Sequence, residues 1–323
     1  MRIALPKQVE QIIRVLEENG FEAFAVGGCV RDSILGRQPS DWDVTTSALP
    51  EQVKALFRKT VDTGIRHGTV TVLLDGAGYE VTTYRIDGDY RDGRHPSEVY
   101  FTRNLEEDLK RRDFTINAMA YNDRAGLVDR FGGEDDLKSG MIRCVGSAGE
   151  RFEEDALRIL RAVRFSAQLG FSIEEETKKA AAALAPSLER ISQERIQTEL
   201  VKLLVSDHPE YLKTAWELGI TRAVLPEFDA MMETPQNGGY HNYTVGEHTL
   251  KALEAVRPER ILRLTVLLHD CGKPMVRSTD EDGRDHFYGH GDVSAQMALE
   301  ILKRLRFDTD TIRKVRTLVR VLD

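Results

Sequence analysis

A change of periodicity near residue 150 limits the possible folds of this chain more than any other feature. Ahead of it, short runs rich in Val, Thr and Tyr alternate with helical stretches; beyond it strand signals vanish and helix follows helix. Val9, Ile12, Ile13 and Leu16 recur at i, i+3, i+4 and i+7 and predict an amphipathic helix stopped by Gly20. A strand over 21–26, the pair Gly27-Gly28, a helix over about 29–35, a strand over 41–46 and a helix over 50–59 follow. Strands over 69–74 and 79–85 are joined by the turn Asp75-Gly76-Ala77-Gly78. The expected architecture is therefore α+β: a head on a small mixed sheet over residues 1–145, a helical neck over 146–205 and a helical body over 206–323. Neck helices are expected at 154–169, 173–184 and 192–204, and the most linker-like stretch is 233–239, with Pro235, Gly238 and Gly239.

Charge and cysteine usage exclude several function classes. The net charge of −8 argues against a protein that coats nucleic acid wholesale, since phosphate neutralisation needs clustered Lys and Arg, but it leaves room for a local basic strip. No apolar run approaches the length of a membrane span, and the first residues, Met1 to Pro6, lack a signal-peptide pattern. Cys29, Cys144 and Cys271 are odd in number and far apart, which suggests neither a disulfide framework nor a zinc ribbon. A cytoplasmic setting is expected.

The chemistry of the first part centres on Asp41 and Asp43. Residues i and i+2 on a strand point to one face, so both carboxylates can bind one or two hard cations such as Mg²⁺. Two such ions activate a hydroxyl nucleophile and stabilise a pyrophosphate leaving group. Glu80, on a later strand, is a third candidate carboxylate. Gly27-Gly28 follows a strand and opens a helix carrying Arg31, an arrangement suited to a phosphate. Each feature alone has a plain alternative: a tight strand-to-helix turn for the glycines, a solvated turn for the Asp pair.

The combination is more specific. Gly27-Gly28-Cys29-Val30-Arg31-Asp32-Ser33-Ile34-Leu35-Gly36, followed by Asp41-Trp42-Asp43, resembles the signature of polymerase-β-like nucleotidyltransferases. It is most similar to that of the class II tRNA nucleotidyltransferases, which add CCA, and the bacterial poly(A) polymerases. Three more blocks fall in the family's order: Arg111 to Asn117 (RRDFTIN), Glu154 to Arg161 (EDALRILR) and Ile191 to Ile196 (ISQERI). The resemblance covers roughly residues 20–205. It implies Arg112 and Asn117 near the triphosphate or sugar, with Asp41, Asp43 and Glu80 as the catalytic carboxylates. Asp155 and Arg158, spaced i and i+3, are expected on one helix face. A carboxylate accepts from cytosine N4 or adenine N6 while a guanidinium donates to cytosine N3 or adenine N1; uracil and guanine present the reverse polarity. Such a pair selects C and A without a template, although an ordinary i,i+3 surface ion pair has the same spacing. Arg161 and Arg164 are expected to extend a basic ridge for triphosphate or primer.

The polar, glycine-rich segment from Asp87 to Pro96 resembles the family's flexible loop that switches addition from C to A; the family more often has Arg where His95 stands. The implied activity is template-independent addition of C and A to the tRNA 3′ end from CTP and ATP, with no membrane and no stable protein partner. The alternatives within this chemistry are an A-adding enzyme and a poly(A) polymerase.

From residue 206 onward stand six of the eight histidines. His248, His269-Asp270 and His290 occur with the string Leu267-Leu268-His269-Asp270-Cys271-Gly272-Lys273-Pro274. A His-Asp pair ending an apolar helix, with a further His on a preceding helix, can hold a divalent metal. It resembles the H…HD…D pattern of the HD phosphohydrolases, with Asp323 as candidate for the last Asp. The resemblance implies a second divalent ion (Mg²⁺, Mn²⁺ or Ni²⁺) unless the region is only a packing scaffold; His241 and His286 are expected to be bystanders or to support the ligands from behind. The alternative of a different class is thus a metal-dependent phosphohydrolase with an RNA-binding N-terminal half. The end of the chain at Asp323, within a helix expected from about residue 310, suggests a truncated form of a longer protein.

Overall fold

A computed structural model of the chain describes residues 2–88, 99–237 and 243–322. The chain divides into two compact units, Met1–Asp155 and Ala156–Asp323. In the first, helix α1 (Lys7–Glu18) buries Val9, Ile12, Ile13 and Leu16 as its periodicity requires. Strand β1 (Ala23–Val26) is buried along its whole length and leads into α2 (Gly28–Ile34). Then come β2 (Asp43–Thr46), α3 (Pro50–Leu56), β3 (Thr60–Gly64), β4 (Thr69–Leu74) and β5 (Ala77–Thr83). The chain continues through β6 (Arg85–Asp87), β7 (Val99–Phe101), α4 (Leu105–Lys110), β8 (Met119–Asn122), β9 (Gly126–Asp129), α5 (Gly133–Ser139) and α6 (Ala148–Glu154).

Seven strands form one mixed sheet in the order β3-β4-β5-β2-β1-β8-β9. The pair β2–β5 is parallel; β1 is antiparallel to both β2 and β8. Asp75 and Gly76 both have positive φ, 49° and 80°, and close a two-residue hairpin between Leu74 and Ala77. That turn matches the right-handed twist of the strands it joins. Two expectations are corrected here. The helix from Pro50 ends at Leu56 because Phe57 turns extended, and residues 60–64 form an edge strand. That strand is mostly exposed and carries no apolar alternation by which it could have been read.

The boundary also moves from the expected 145. Helix α6 belongs to the first unit: Phe152 is fully buried and the Arg151 guanidinium donates to the carbonyl of Lys110.

The second unit begins with α7 (Leu157–Leu169), α8 (Glu175–Leu184), α9 (Gln193–Leu204), α10 (Leu212–Glu217), α11 (Ile220–Val224) and α12 (Pro226–Glu233). It ends with α13 (Val245–Ala255), α14 (Arg260–Leu268), α15 (Lys273–Val276), α16 (His290–Arg304) and α17 (Thr309–Val321). No division falls at the expected 205. The buried Arg263 of α14 donates to the carbonyl of Leu204 at the end of α9, tying neck and body helices into one core. Among the described residues no helix is long and apolar enough to cross a membrane.

Candidate functional site

The parallel register of β2 and β5 pairs Asp43 with Glu80 and Val44 with Val81. Strand alternation then puts the two carboxylates on one face and buries the two valines on the other. Asp41 lies two residues ahead of β2, outside the strand on which it was expected, and its Oδ2 accepts from the Ser40 hydroxyl at 3.1 Å. All three carboxylates line one cavity of about 610 Å³, together with Pro6, Ser40, Trp42 and Tyr79. Asp43 keeps an open side to solvent, yet the protein around it removes part of its hydration and raises its pKa. Arg112 opposes that rise, while the charges of Glu80 and Asp41 add to it.

Gly27 sits at φ 82°, ψ −130°, a backbone state only glycine adopts without strain. A Cβ there would meet Arg112 Nη1 at 3.0 Å, so the turn and this arginine are packed together. Arg31 donates to Asn117 Oδ1 at 2.7 Å, and Asn117 Nδ2 donates to Asp113 Oδ1 at 3.1 Å. Gly27, Arg31, Arg112 and Asn117, far apart in sequence, thus stand as one connected group.

Asp108 is the residue that sequence reasoning missed. Fully buried, it takes Arg111 Nε at 2.9 Å, the Thr45 hydroxyl of β2 at 3.1 Å and the backbone N–H of Arg85 at 3.3 Å, with Arg112 at 3.6 Å. Burial works to raise its pKa, but Arg111, Arg112 and these hydrogen bonds win and hold it below the usual carboxylate range. The signal was present: Asp108, Arg111 and Arg112 are spaced i, i+3 and i+4.

The neck residues differ from expectation. Asp155 does not share a helix face with Arg158. It caps α6 with extended backbone (φ −146°, ψ 101°), and α7 starts two residues later. Asp is a poor interior helix residue, and the helix breaks there. Arg164 is not on an exposed ridge: it is buried, donates from Nε to Glu199 Oε2 at 2.7 Å and from Nη1 to Gln168 at 2.9 Å, and so locks α7 to α9. Arg161, partly exposed, approaches the same Glu199 at 3.6 Å.

In the second unit His248, His269 and Asp270 bring potential ligand atoms within 4.8 Å of one another. His248 is carried on α13, whose start is fixed by the Thr244–Glu247 capping box. A Cβ on Gly272 would lie 2.6 Å from the Ser294 nitrogen, so glycine lets the His269-Asp270 turn rest directly on α16. That contact brings His290 Nε2 to 3.4 Å from Asp270 Oδ1; His269 Nε2 is 3.2 Å from Oδ2. His269 Nδ1 donates to the Val266 carbonyl at 2.6 Å, which orients the ring so that Nε2 faces Asp270. Burial opposes ionisation of Asp270, but His269 and Lys273, the latter at 2.8 Å, hold its pKa far below the usual range. These donors, two imidazoles and a carboxylate, suit a borderline divalent ion. His286 pairs instead with Asp280, at 2.8 Å. Asp323, His241 and most of the expected switching loop, His95 included, lie outside the described residues.

A mixed sheet with paired strand-end carboxylates beside a glycine turn and an arginine cluster defines a nucleotidyltransferase-type head. Residues 23–143 match the poly A polymerase head domain, 170–232 the probable RNA and SrmB-binding site of polymerase A, and 238–320 the HD domain. The chain is similar to the CCA-adding enzymes of Leuconostoc mesenteroides subsp. mesenteroides (56% identical over 196 residues) and Geobacillus thermodenitrificans (55% over 198). Each alignment covers 61% of this chain and 49% of the relative, so the chain spans about half the length of these curated relatives. It is also similar to the crystal structure of the Bacillus stearothermophilus CCA-adding enzyme in complex with CTP. That match is 34% identical with a TM-score of 0.69 and covers 98% of this chain and 78% of the other. The chain belongs to the CCA-adding enzyme family.

Proposed function

We propose that this protein adds C and A to the 3′ end of tRNA without a template, using CTP and ATP. The observation that carries the proposal is the side-by-side placement of Asp43 and Glu80, with Asp41 on the same cavity. Membership of the family implies a divalent cation. The carboxylates fit one, since the lost hydration, joined by the charges of Glu80 and Asp41, that raises the pKa of Asp43 is offset by a bound cation. Mg²⁺ held by Asp41, Asp43 and Glu80 would activate the terminal hydroxyl of the RNA and neutralise the departing pyrophosphate. Gly27 and Gly28 keep the ground before Arg31 clear of side chains, so Arg31, Arg112 and Asn117 are assigned to the triphosphate and sugar. Asp155 and Arg158 are assigned the choice of C and A by hydrogen-bond polarity. Arg161 serves the triphosphate or primer, and the buried Arg164 supports it through the shared Glu199. The head extends through α6 to Asp155, followed by neck and body. Cys29, Cys144 and Cys271, buried and in no disulfide, fit the reducing cytoplasm.

The test is incorporation of labelled CTP or ATP into tRNA lacking CCA, tRNA lacking only the final A, and a random RNA. Expected are C then A on the first, A on the second and nothing on the third. A on the second with nothing on the first points to an A-adding enzyme, and A on random RNA to a poly(A) polymerase.

The geometry of His248, His269 and Asp270 favours a second, separate activity: a metal-dependent phosphohydrolase centre using Mg²⁺, Mn²⁺ or Ni²⁺. Hydrolysis of a phosphate ester without any nucleotide incorporation would make that the principal function.

A further inference from the structure

The group formed by His248, His269 and Asp270 carries a cation of its own. Lys273, the first residue of α15, brings Nζ to 2.8 Å from Asp270 Oδ2. The same oxygen lies 3.2 Å from His269 Nε2 and 3.9 Å from His248 Nε2, so it is the one both imidazoles face. The other oxygen, Oδ1, is faced by His290 Nε2 at 3.4 Å. Three further contacts hold the lysine in place. Its backbone N–H donates to the Asp270 carbonyl at 3.0 Å, and Nζ donates to Gln236 Oε1 at 3.1 Å. The ammonium also lies 5.4 Å from the centre of the Phe287 ring. With its side chain only 15% exposed, this lysine is a fixed part of the site and not a passing surface charge.

We infer that Lys273 competes with a divalent ion for Asp270 Oδ2, and that the cost falls harder on an oxygen-seeking ion than on a nitrogen-seeking one. The inference rests on the metal-centre reading of His248, His269 and Asp270 and adds what governs their choice of ion. An ammonium and a divalent ion repel each other strongly where burial limits screening. An ion at Oδ2 therefore has to displace Nζ or share the oxygen with it. Either way the oxygen contact is what weakens, while the two imidazoles stay available. Mg²⁺ draws its affinity from oxygen ligands and loses most; Ni²⁺ is well suited by imidazole and loses less. Lys273 is thus a positioning residue that restrains Asp270 and biases the centre away from Mg²⁺.

The test is calorimetric titration of the whole chain with Mg²⁺ and with Ni²⁺, taking as this centre's the binding event that His269→Ala weakens. Lys273→Met keeps the length of the side chain and removes its charge. It is expected to raise Mg²⁺ affinity about tenfold, the scale on which groups adjoining metal ligands act, and Ni²⁺ affinity distinctly less. Lys273→Arg, which keeps a cation, is expected to stay close to the wild type. Without metal, Lys273→Met is expected to melt below the wild type, because buried Asp270 loses a partner. Saturating Mg²⁺ is then expected to raise the variant's melting temperature by more than the wild type's. A lower melting temperature with no gain in metal affinity would make the lysine merely structural and overturn the inference. So would an equal gain for the two ions, or a Mg²⁺ gain in Lys273→Arg as large as in Lys273→Met. No event sensitive to His269→Ala with either ion, in wild type or variant, would instead overturn the metal-centre reading and the inference with it.

Discussion

In the head, Asp43 and Glu80 meet because two parallel strands are in register; in the body, His248, His269 and Asp270 meet because α13, α14 and the turn against α16 converge. The strand-built group is all oxygen and open to solvent, with Asp43 destabilised as an anion. The helix-built group mixes nitrogen and oxygen donors, and its buried Asp270 is stabilised as an anion by His269 and Lys273. The first suits a hard cation shared with substrate phosphates; the second suits a borderline ion held by protein alone. Donor type and local charge balance together therefore decide which centre each group makes.

Three measurements break or sharpen this contrast. The largest effect is expected from Asp43→Asn. Loss of a metal-centred stabilisation of several kcal/mol corresponds to a fall in CTP incorporation on the order of a thousandfold. Metal binding at His269 should be untouched, and incorporation that survives the change would refute the head as the transferase centre.

Asp108→Asn is expected next, at about 3–5 kcal/mol of stability, because it leaves Arg111 and Arg112 without their buried carboxylate. The folded-state pKa of Asp108 lies below its unfolded value of about 3.9, so its contribution is present above that pH and disappears as pH falls through the folded value. Urea midpoints of wild type and variant should therefore differ most near neutrality and converge below about pH 4. A gap independent of pH would show that packing, not charge, is what was lost.

His269→Ala is expected to weaken Mn²⁺ or Ni²⁺ binding about 10–100-fold by calorimetry while CTP incorporation stays within about twofold. A parallel loss of incorporation would show that the two centres are one functional unit.

Much of the head was legible in the sequence, because its signals are local. The core face of α1, the Gly27-Gly28 turn and the hairpin at Asp75-Gly76 depend on residues within a few positions of one another. Strand β3 escaped notice because an exposed edge strand needs no apolar alternation. The break at Asp155 was hidden inside a sequence that reads as one continuous helix from 154 to 169. Arg164 looked like a surface cation because its partner, Glu199, lies 35 residues away on another helix.

Residue types at short spacing determined the α+β head, the helical remainder and the chemistry of the candidate groups: carboxylates near a glycine turn, and a His-Asp pair ending an apolar helix. Only the tertiary structure decided which of these groups meet. Register set Glu80 beside Asp43, the close approach at Gly272 set Asp270 on α16, and burial turned Arg164 from an apparent surface charge into an internal tie. The reason is physical: spacing along a chain constrains neighbours within a turn or a hairpin. Pairing between distant segments depends on which packing buries the most apolar surface while leaving every buried charge with a partner.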